Sequence, residues 1–319
     1  VSPSDQEPKS PPTNPATSLV EAQREIALLR ERIGTLAEEL ADREKDLSVF
    51  RSELRSANQR IESMIVTLAA QLRQTGQIQR LLVPTEIAAI SGFDFSSKFV
   101  ASPLSGGDYY DIFELDDRLR FGLVLSCASG YSISSLFLTV LLKVTGQTEA
   151  RRGQSPERVI ELIAQEVAAQ AQAREKAHLF YGLVDRRSFQ LQYVSLGEIV
   201  ALHGPAEGGR MHRLKAAGQA LESGLQIPSG GWPVQTIDLS PRDRLIICSQ
   251  GVARARNRAG EEFGEDRLYR AVLAAPRQGV HDLRNEILYQ VERFCEGTDL
   301  PADVTVVVAE VKDKIIKLA

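Results

Sequence analysis

Three cysteines, Cys127, Cys248 and Cys295, are of the residue type that can serve as a soft nucleophile or metal ligand. Their odd number and the lack of a Cys-x-x-Cys spacing point to neither a disulfide framework nor a zinc cluster. Cys127 and Cys248 end expected core strands. They would form a redox or soft-metal pair there or, more commonly for free thiols, act as small buried apolar side chains. Four histidines, His178, His203, His212 and His281, lack the His-x-x-x-His spacing of zinc hydrolases and are expected at the surface or on strand edges. The run Arg254-Ala255-Arg256-Asn257-Arg258 is either a solvated loop or the best anion contact in the chain, because guanidinium groups bind phosphate and carboxylate bidentately. No glycine-rich nucleotide-binding motif accompanies it.

These side chains sit in a chain of 319 residues, 43% hydrophobic and 25% charged, with a formal net charge of -4. That composition suits a soluble globular protein and lacks the basic footprint of a nucleic-acid binder. The longest apolar runs, such as Val304 to Val311, fall well short of the ~20 residues of a membrane-spanning helix. A soluble protein of the reducing cytoplasm is expected, with neither nucleic acid nor membrane as partner.

Residues 1–17, with five prolines among Ser, Thr and Asn, read as a disordered tail. Ser18-x-x-Glu21 is a capping box, which starts a helix by satisfying its free N–H groups. From there apolar residues recur in alternating steps of three and four. The a positions are Leu19, Ile26, Ile33, Leu40, Leu47, Leu54, Ile61 and Leu68, and the d positions include Leu29, Leu36, Phe50 and Met64. A strict seven-residue period implies a left-handed coiled coil about 80 Å long, and residues 18–82 are read as a dimerisation helix. Parallel pairing places Glu25 opposite Arg30 and Asp46 opposite Arg51, but also Glu39 opposite Glu44, so it is only mildly favoured. Arg43 at a d position and Gly34 weaken the seam. The register lapses at Gln71 and Thr75-Gly76 before Pro84 ends the helix.

Residues 83–312 read as one domain and 313–319 as a C-terminal tail. Strands are expected at Phe93 to Val100, Tyr109 to Leu115, Leu119 to Ser126, His178 to Val184, Gln190 to Ser195, Val234 to Leu239, Leu245 to Cys248 and Val304 to Val311. A turn falls at Asp116-Asp117. Helices are expected at Ser132 to Gly146, at Pro156 to Ala173 with Ser155 as N-cap, at Glu265 to Ala274 and at Val280 to Phe294. Strands grouped around helices argue for an α+β fold with antiparallel sheets.

Several motifs within this domain occur in one order: Gly106-Gly107-Asp108-Tyr109-Tyr110-Asp111, Ser129-Gly130, Asp243-Arg244-Leu245, Ser249-Gln250-Gly251-Val252, Glu261-Glu262-Phe263-Gly264 and Asp303-Val304-Thr305. In that order the chain resembles the sporulation-stage-II-E type of the metal-dependent (PPM, type 2C) Ser/Thr phosphatases over about Leu81 to Val311. The resemblance implies an α/β/β/α sandwich of two antiparallel sheets flanked by helices, preceded here by the long coiled-coil helix. In active members, Asp carboxylates hold two Mn or Mg ions that bridge a nucleophilic water.

Carried over residue by residue, that ligand set is degenerate. Asp108 is present, but the other liganding positions hold Cys127, Gln250 and Ala302, with Asp111 and Asp303 retained nearby. The usual Ala-Gly-His turn is Leu196-Gly197-Glu198, and the Gly-x-Pro-Leu-Gly loop is Gly218-Gln219-Ala220-Leu221-Glu222. Thiol, amide and methyl groups do not replace carboxylates around hard cations. No metal cofactor and no catalytic residue is therefore expected, and Arg254, Arg256 and Arg258 are the remaining candidate binding residues. The resemblance implies a pseudophosphatase homodimer acting in a partner-switching pathway, on an anti-sigma-factor antagonist domain or its kinase. The alternative is an active phosphoserine/phosphothreonine phosphatase with a rearranged Mn or Mg set.

Overall fold

The computed structural model describes residues 15–82, 84, 87, 89–103, 106–129, 139–140, 143–144, 153–171, 175–206, 209–275 and 279–312. It divides into two units, Val1–Leu68 and Ala69–Ala319.

The first unit is helical. Helix α1 (Pro15–Leu82) begins three residues before the expected capping box, so Ser18 lies inside it rather than at its cap. Proline is tolerated at the first helical position because its missing N–H would have no partner there. The helix passes Gly34 and Arg43 without a break. The apolar seam at Leu19, Ile26, Leu29, Ile33, Leu36, Leu40, Leu47, Phe50, Leu54, Ile61 and Met64 is exposed in the single chain. The side chain of Leu68 lies outside the described residues.

The second unit has the layered α/β/β/α fold. One sheet runs β1 (Phe93–Val100), β11 (Val304–Val311), β10 (Asp243–Cys248), β6 (Val200–Pro205), β7 (His212–Arg213). The other runs β2 (Asp108–Glu114), β3 (Arg120–Ser129), β4 (Lys176–Asp185), β5 (Gln190–Leu196), β9 (Gln235–Asp238), with β8 (Leu221–Glu222) on β4. Every pairing between these strands is antiparallel. A core containing Phe93, Leu123, Leu125, Phe180 and Val307 fills the space between the sheets. Helix α2 (Pro156–Gln170) covers the outer face of the second sheet with Ile160, Ile163 and Val167. Helices α3 (Gln250–Arg254), α4 (Gly264–Ala274) and α5 (Gly279–Cys295) cover the outer face of the first.

The local chemistry of the turn and caps is partly as expected. Asp117 accepts hydrogen bonds from the Leu119 and Arg120 N–H groups at 2.9 and 3.0 Å, closing the β2–β3 turn. Ser155 occupies the N-cap of α2, but its hydroxyl makes no capping bond, and Pro156 at the first position sets the helix start. β3 runs three residues beyond the expected end, to Ser129. β6, the two-residue strands β7 and β8, and α3 were not legible in the sequence; each is too short to show a period and owes its pairing or packing to distant chain. The helix expected at Ser132 to Gly146 lies outside the described residues except for 139–140 and 143–144, which are helical. No helix among the described residues is long and apolar enough to cross a membrane.

One expectation about a single residue is corrected, and the buried reading of the two strand cysteines holds. His178 lies buried in β4 rather than at the surface, because its strand is covered on both faces. Cys127 belongs to the core between the sheets, whereas Cys248 faces the helices on the far side of the first sheet. They occupy separate cores and form no redox or soft-metal pair.

Candidate active-site cleft

The cleft lies where the start of β2, the N-terminus of α3 and the loop before β11 meet. Asp108 opens β2 opposite Cys127 of β3, which in turn lies opposite His178 of β4. Residues directly opposed in antiparallel strands share a face, so all three side chains point between the sheets. Alternation sends Asp111 to the other face, where Tyr109 donates its hydroxyl to the carboxylate at 3.1 Å. Asp111, retained in the sequence near the ligand positions, is therefore not part of the cleft.

Asp303 is a backbone clamp. Its Oδ1 accepts the Ser102 N–H at 2.8 Å, and its Oδ2 accepts the N–H groups of Gly107 at 2.8 Å and Asp108 at 3.3 Å. The Gly106-Gly107-Asp108 turn of one sheet is thereby tied to the strand entering the other. Glycine is required at two close approaches: a Cβ on Gly107 would press on the Ala128 carbonyl oxygen, and one on Gly251 would overlap that of Asp303. Ser249 completes the tie. Its N–H donates to the Thr305 carbonyl at 2.9 Å, and its Oγ accepts the Thr305 N–H at 2.9 Å. The Thr305 hydroxyl donates to Asp108 Oδ2 at 2.7 Å. Ser249 and Thr305 belong to quoted motifs but had no assigned role in the sequence reading, since hydroxyls carry no spacing signature.

Burial sets the protonation of this cluster. It raises the Asp108 carboxyl to about 7, helped by the neighbouring Asp303 charge and opposed by hydrogen bonds from Thr305, Ser249 and Cys127. Burial also raises Asp303, against the pull of its three backbone donors. The Cys127 thiol is pushed well up by burial and then by the Asp108 charge, so it is no thiolate nucleophile. His178 is lowered by burial, and its Nδ1 accepts the Glu198 N–H at 2.9 Å, which places the ring proton on Nε2.

A cavity of about 240 Å³ is lined by Gly106, Asp108, Gln250, Arg254, Arg256 and Ala302, among others. Gln250 is buried, and its Oε1 has no hydrogen-bond partner among the described residues. Arg254 and Arg256 reach the cleft, but each already has a carboxylate: Arg254 pairs with Glu198 at 2.6 Å and Arg256 with Glu262 at 2.9 Å. Arg258 is not among the lining residues and donates to the Glu296 carbonyl at 3.1 Å.

A pair of hard cations does not fit this donor set. One carboxylate is a buried acid bonded to Thr305, and the other has both oxygens engaged by backbone N–H groups. Cys127, Gln250 and Ala302 supply no anionic oxygen. Among the described residues no group of three His, Cys, Asp or Glu is arranged to hold a metal ion.

Two curated proteins resemble the chain. Protein IcfG of Synechocystis sp. is 24% identical over 262 residues, covering 72% of this chain and 40% of that protein. Phosphoserine phosphatase RsbP of Bacillus subtilis is 22% identical over 222 residues, covering 68% and 52%. The chain thus spans about half the length, or less, of these relatives. Among solved structures, the SiaA-PP2C domain of Pseudomonas aeruginosa superposes with a TM-score of 0.65 at 18% identity, covering 79% of this chain and 98% of that one. The PP2C phosphatase domain of SpoIIE from Bacillus subtilis does so with 0.60 at 15% identity, covering 69% and 63%. At such identities the superpositions speak for the fold alone. The stage II sporulation protein E (SpoIIE) model matches residues 117–312, more than half of the chain. With the sandwich fold, the Asp303-clamped Gly-Gly-Asp turn and this match, the chain belongs to the SpoIIE family of PP2C-like phosphatase domains.

Proposed function

We propose that this protein is a noncatalytic signalling regulator, a PP2C-like pseudophosphatase that dimerises through α1 and binds a protein partner. The observation that carries the reading is the donor set of the cleft: the fold's polar clamp is intact, but three ligand positions hold Cys127, Gln250 and Ala302. Without paired cations, the bridging hydroxide that would attack a phosphate ester has no origin. The exposed apolar seam of α1 supports a homodimer. The partner class, an anti-sigma-factor antagonist domain or its kinase, rests on the family resemblance and on the likeness to the RsbU and RsbW domains of Rv1364c from Mycobacterium tuberculosis, with a TM-score of 0.58.

The second reading, an active phosphatase with a rearranged metal set, draws on the similarity to the phosphoserine phosphatase RsbP. Calorimetric titration with Mn²⁺ beside an assay on p-nitrophenyl phosphate and phosphopeptides separates the two. We expect neither saturable binding of a metal pair nor turnover with Mn²⁺ or Mg²⁺. Metal-dependent turnover abolished by Asp108→Asn would refute the noncatalytic reading.

A further inference from the structure

A second concave surface lies between α4 and α5, encloses about 390 Å³, and does not share its lining with the Asp108 cleft. Arg267 and Arg270 stand three residues apart, and so on one face of α4, while Arg293 comes from α5. Phe263 and Phe294 meet edge to face with ring centroids 5.4 Å apart, and the Arg267 guanidinium lies 4.7 Å from the Phe294 centroid.

The guanidinium groups are poorly matched within the chain. Arg267 donates to the carbonyls of Glu262 and Phe263 at 2.9 and 3.2 Å and has a carboxylate, Glu261, only at 3.6 Å. Arg270 donates to the Asp266 carbonyl at 3.3 Å. Arg293 makes no hydrogen bond or ion pair among the described residues. Gln290, also in the lining, is turned to Glu286 at 2.7 Å. Phe263 is buried and Phe294 half-buried, so the aromatic surface that the groove offers is part of the Phe294 ring; cationic forks beside such a surface favour planar carboxylates carried on partly apolar chain. A phosphate cradle would present free backbone N–H groups. Here the Phe263 N–H is bound to the Ala255 carbonyl at 2.8 Å, and the remaining lining comes from helix interiors whose N–H groups the helices use.

We propose that this groove docks an acidic segment of a protein partner, with carboxylates meeting Arg270 and Arg293 from the two walls and an apolar side chain lying against the accessible part of the Phe294 ring. The inference stands whether or not the Asp108 cleft is catalytic. A fluorescein-labelled peptide of alternating Glu and Leu, titrated with the full chain and followed by anisotropy, tests it. We expect saturable binding that the Arg270→Glu, Arg293→Glu double variant weakens by roughly tenfold or more. Arg293→Gln alone, a neutral change at an exposed position, should give a smaller loss, which guards against misfolding of the charge-reversed variant. The proposal is overturned by the absence of saturable binding, by equal affinity in all three proteins, by equal binding of a Lys-Leu peptide, or by full displacement with inorganic phosphate at matched ionic strength, which would mark a small-anion site.

Discussion

Asp108 and Asp303 are held in one buried network of hydrogen bonds that ties the two sheets together. The Asp303 carboxylate is engaged by Ser102, Gly107 and Asp108, so its place in the closing motif is structural in this chain. Asp108 is a buried acid raised to about 7, principally by desolvation. An unfolded Asp titrates near ~3.9, so between about pH 4 and about pH 7 the folded state holds a proton that the unfolded state has released. Its stabilising effect is complete below the unfolded value and is lost as pH rises through the folded one. We therefore expect the urea midpoint to fall from about pH 5 to about pH 8 and the fall to be smaller in Asp108→Asn, with a residual slope from Asp303, which shifts in the same direction. An unchanged slope in the variant would remove Asp108 as its source.

At the scale of elements, two glycines in helices should respond oppositely to one substitution. Gly251 lies in α3 against the Asp303 carbonyl, with no room for a Cβ. Gly251→Ala must push α3 from the chain entering β11 and should cost at least about 2 kcal/mol in denaturant unfolding. Gly34 lies in α1 with nothing within 4 Å of an added Cβ. Gly34→Ala should stabilise that helix by about 1 kcal/mol, since only the backbone entropy of the unfolded chain changes. Thermal melts of the two variants followed at helix and sheet wavelengths check both signs. Equal effects would mean that the packing of α3 on Asp303 is not tight.

At the scale of the whole molecule, the exposed seam of α1 is the feature a lone chain leaves unsatisfied. Apolar side chains from Leu19 to Met64 hold one heptad register, the pattern by which a helix buries its seam against a second helix. We expect light scattering to report a dimer for the full chain and a monomer after deletion of residues 1–80. A dimer that survives deletion would place the interface on the sandwich domain and leave α1 for another partner.

The long-range order of the fold was legible where one short segment carries a strong pattern. The strand bounds of β1 and β11 match the sequence reading because each is a continuous or alternating apolar run ended by polar or turn residues. The heptads of α1 are visible without a partner, and the ordered motifs carry the family resemblance and mark Cys127, Gln250 and Ala302 as departures from it. The helix start at Pro15, β6 and α3 were decided by the folded chain, since their local patterns are short or ambiguous. Tertiary structure alone separated Cys127 from Cys248 and gave Arg254 and Arg256 carboxylate partners. Sequence spacing sets which side chains a strand or helix can present; what they meet depends on register and on distant chain, as with Asp108 and Thr305, which are 197 residues apart.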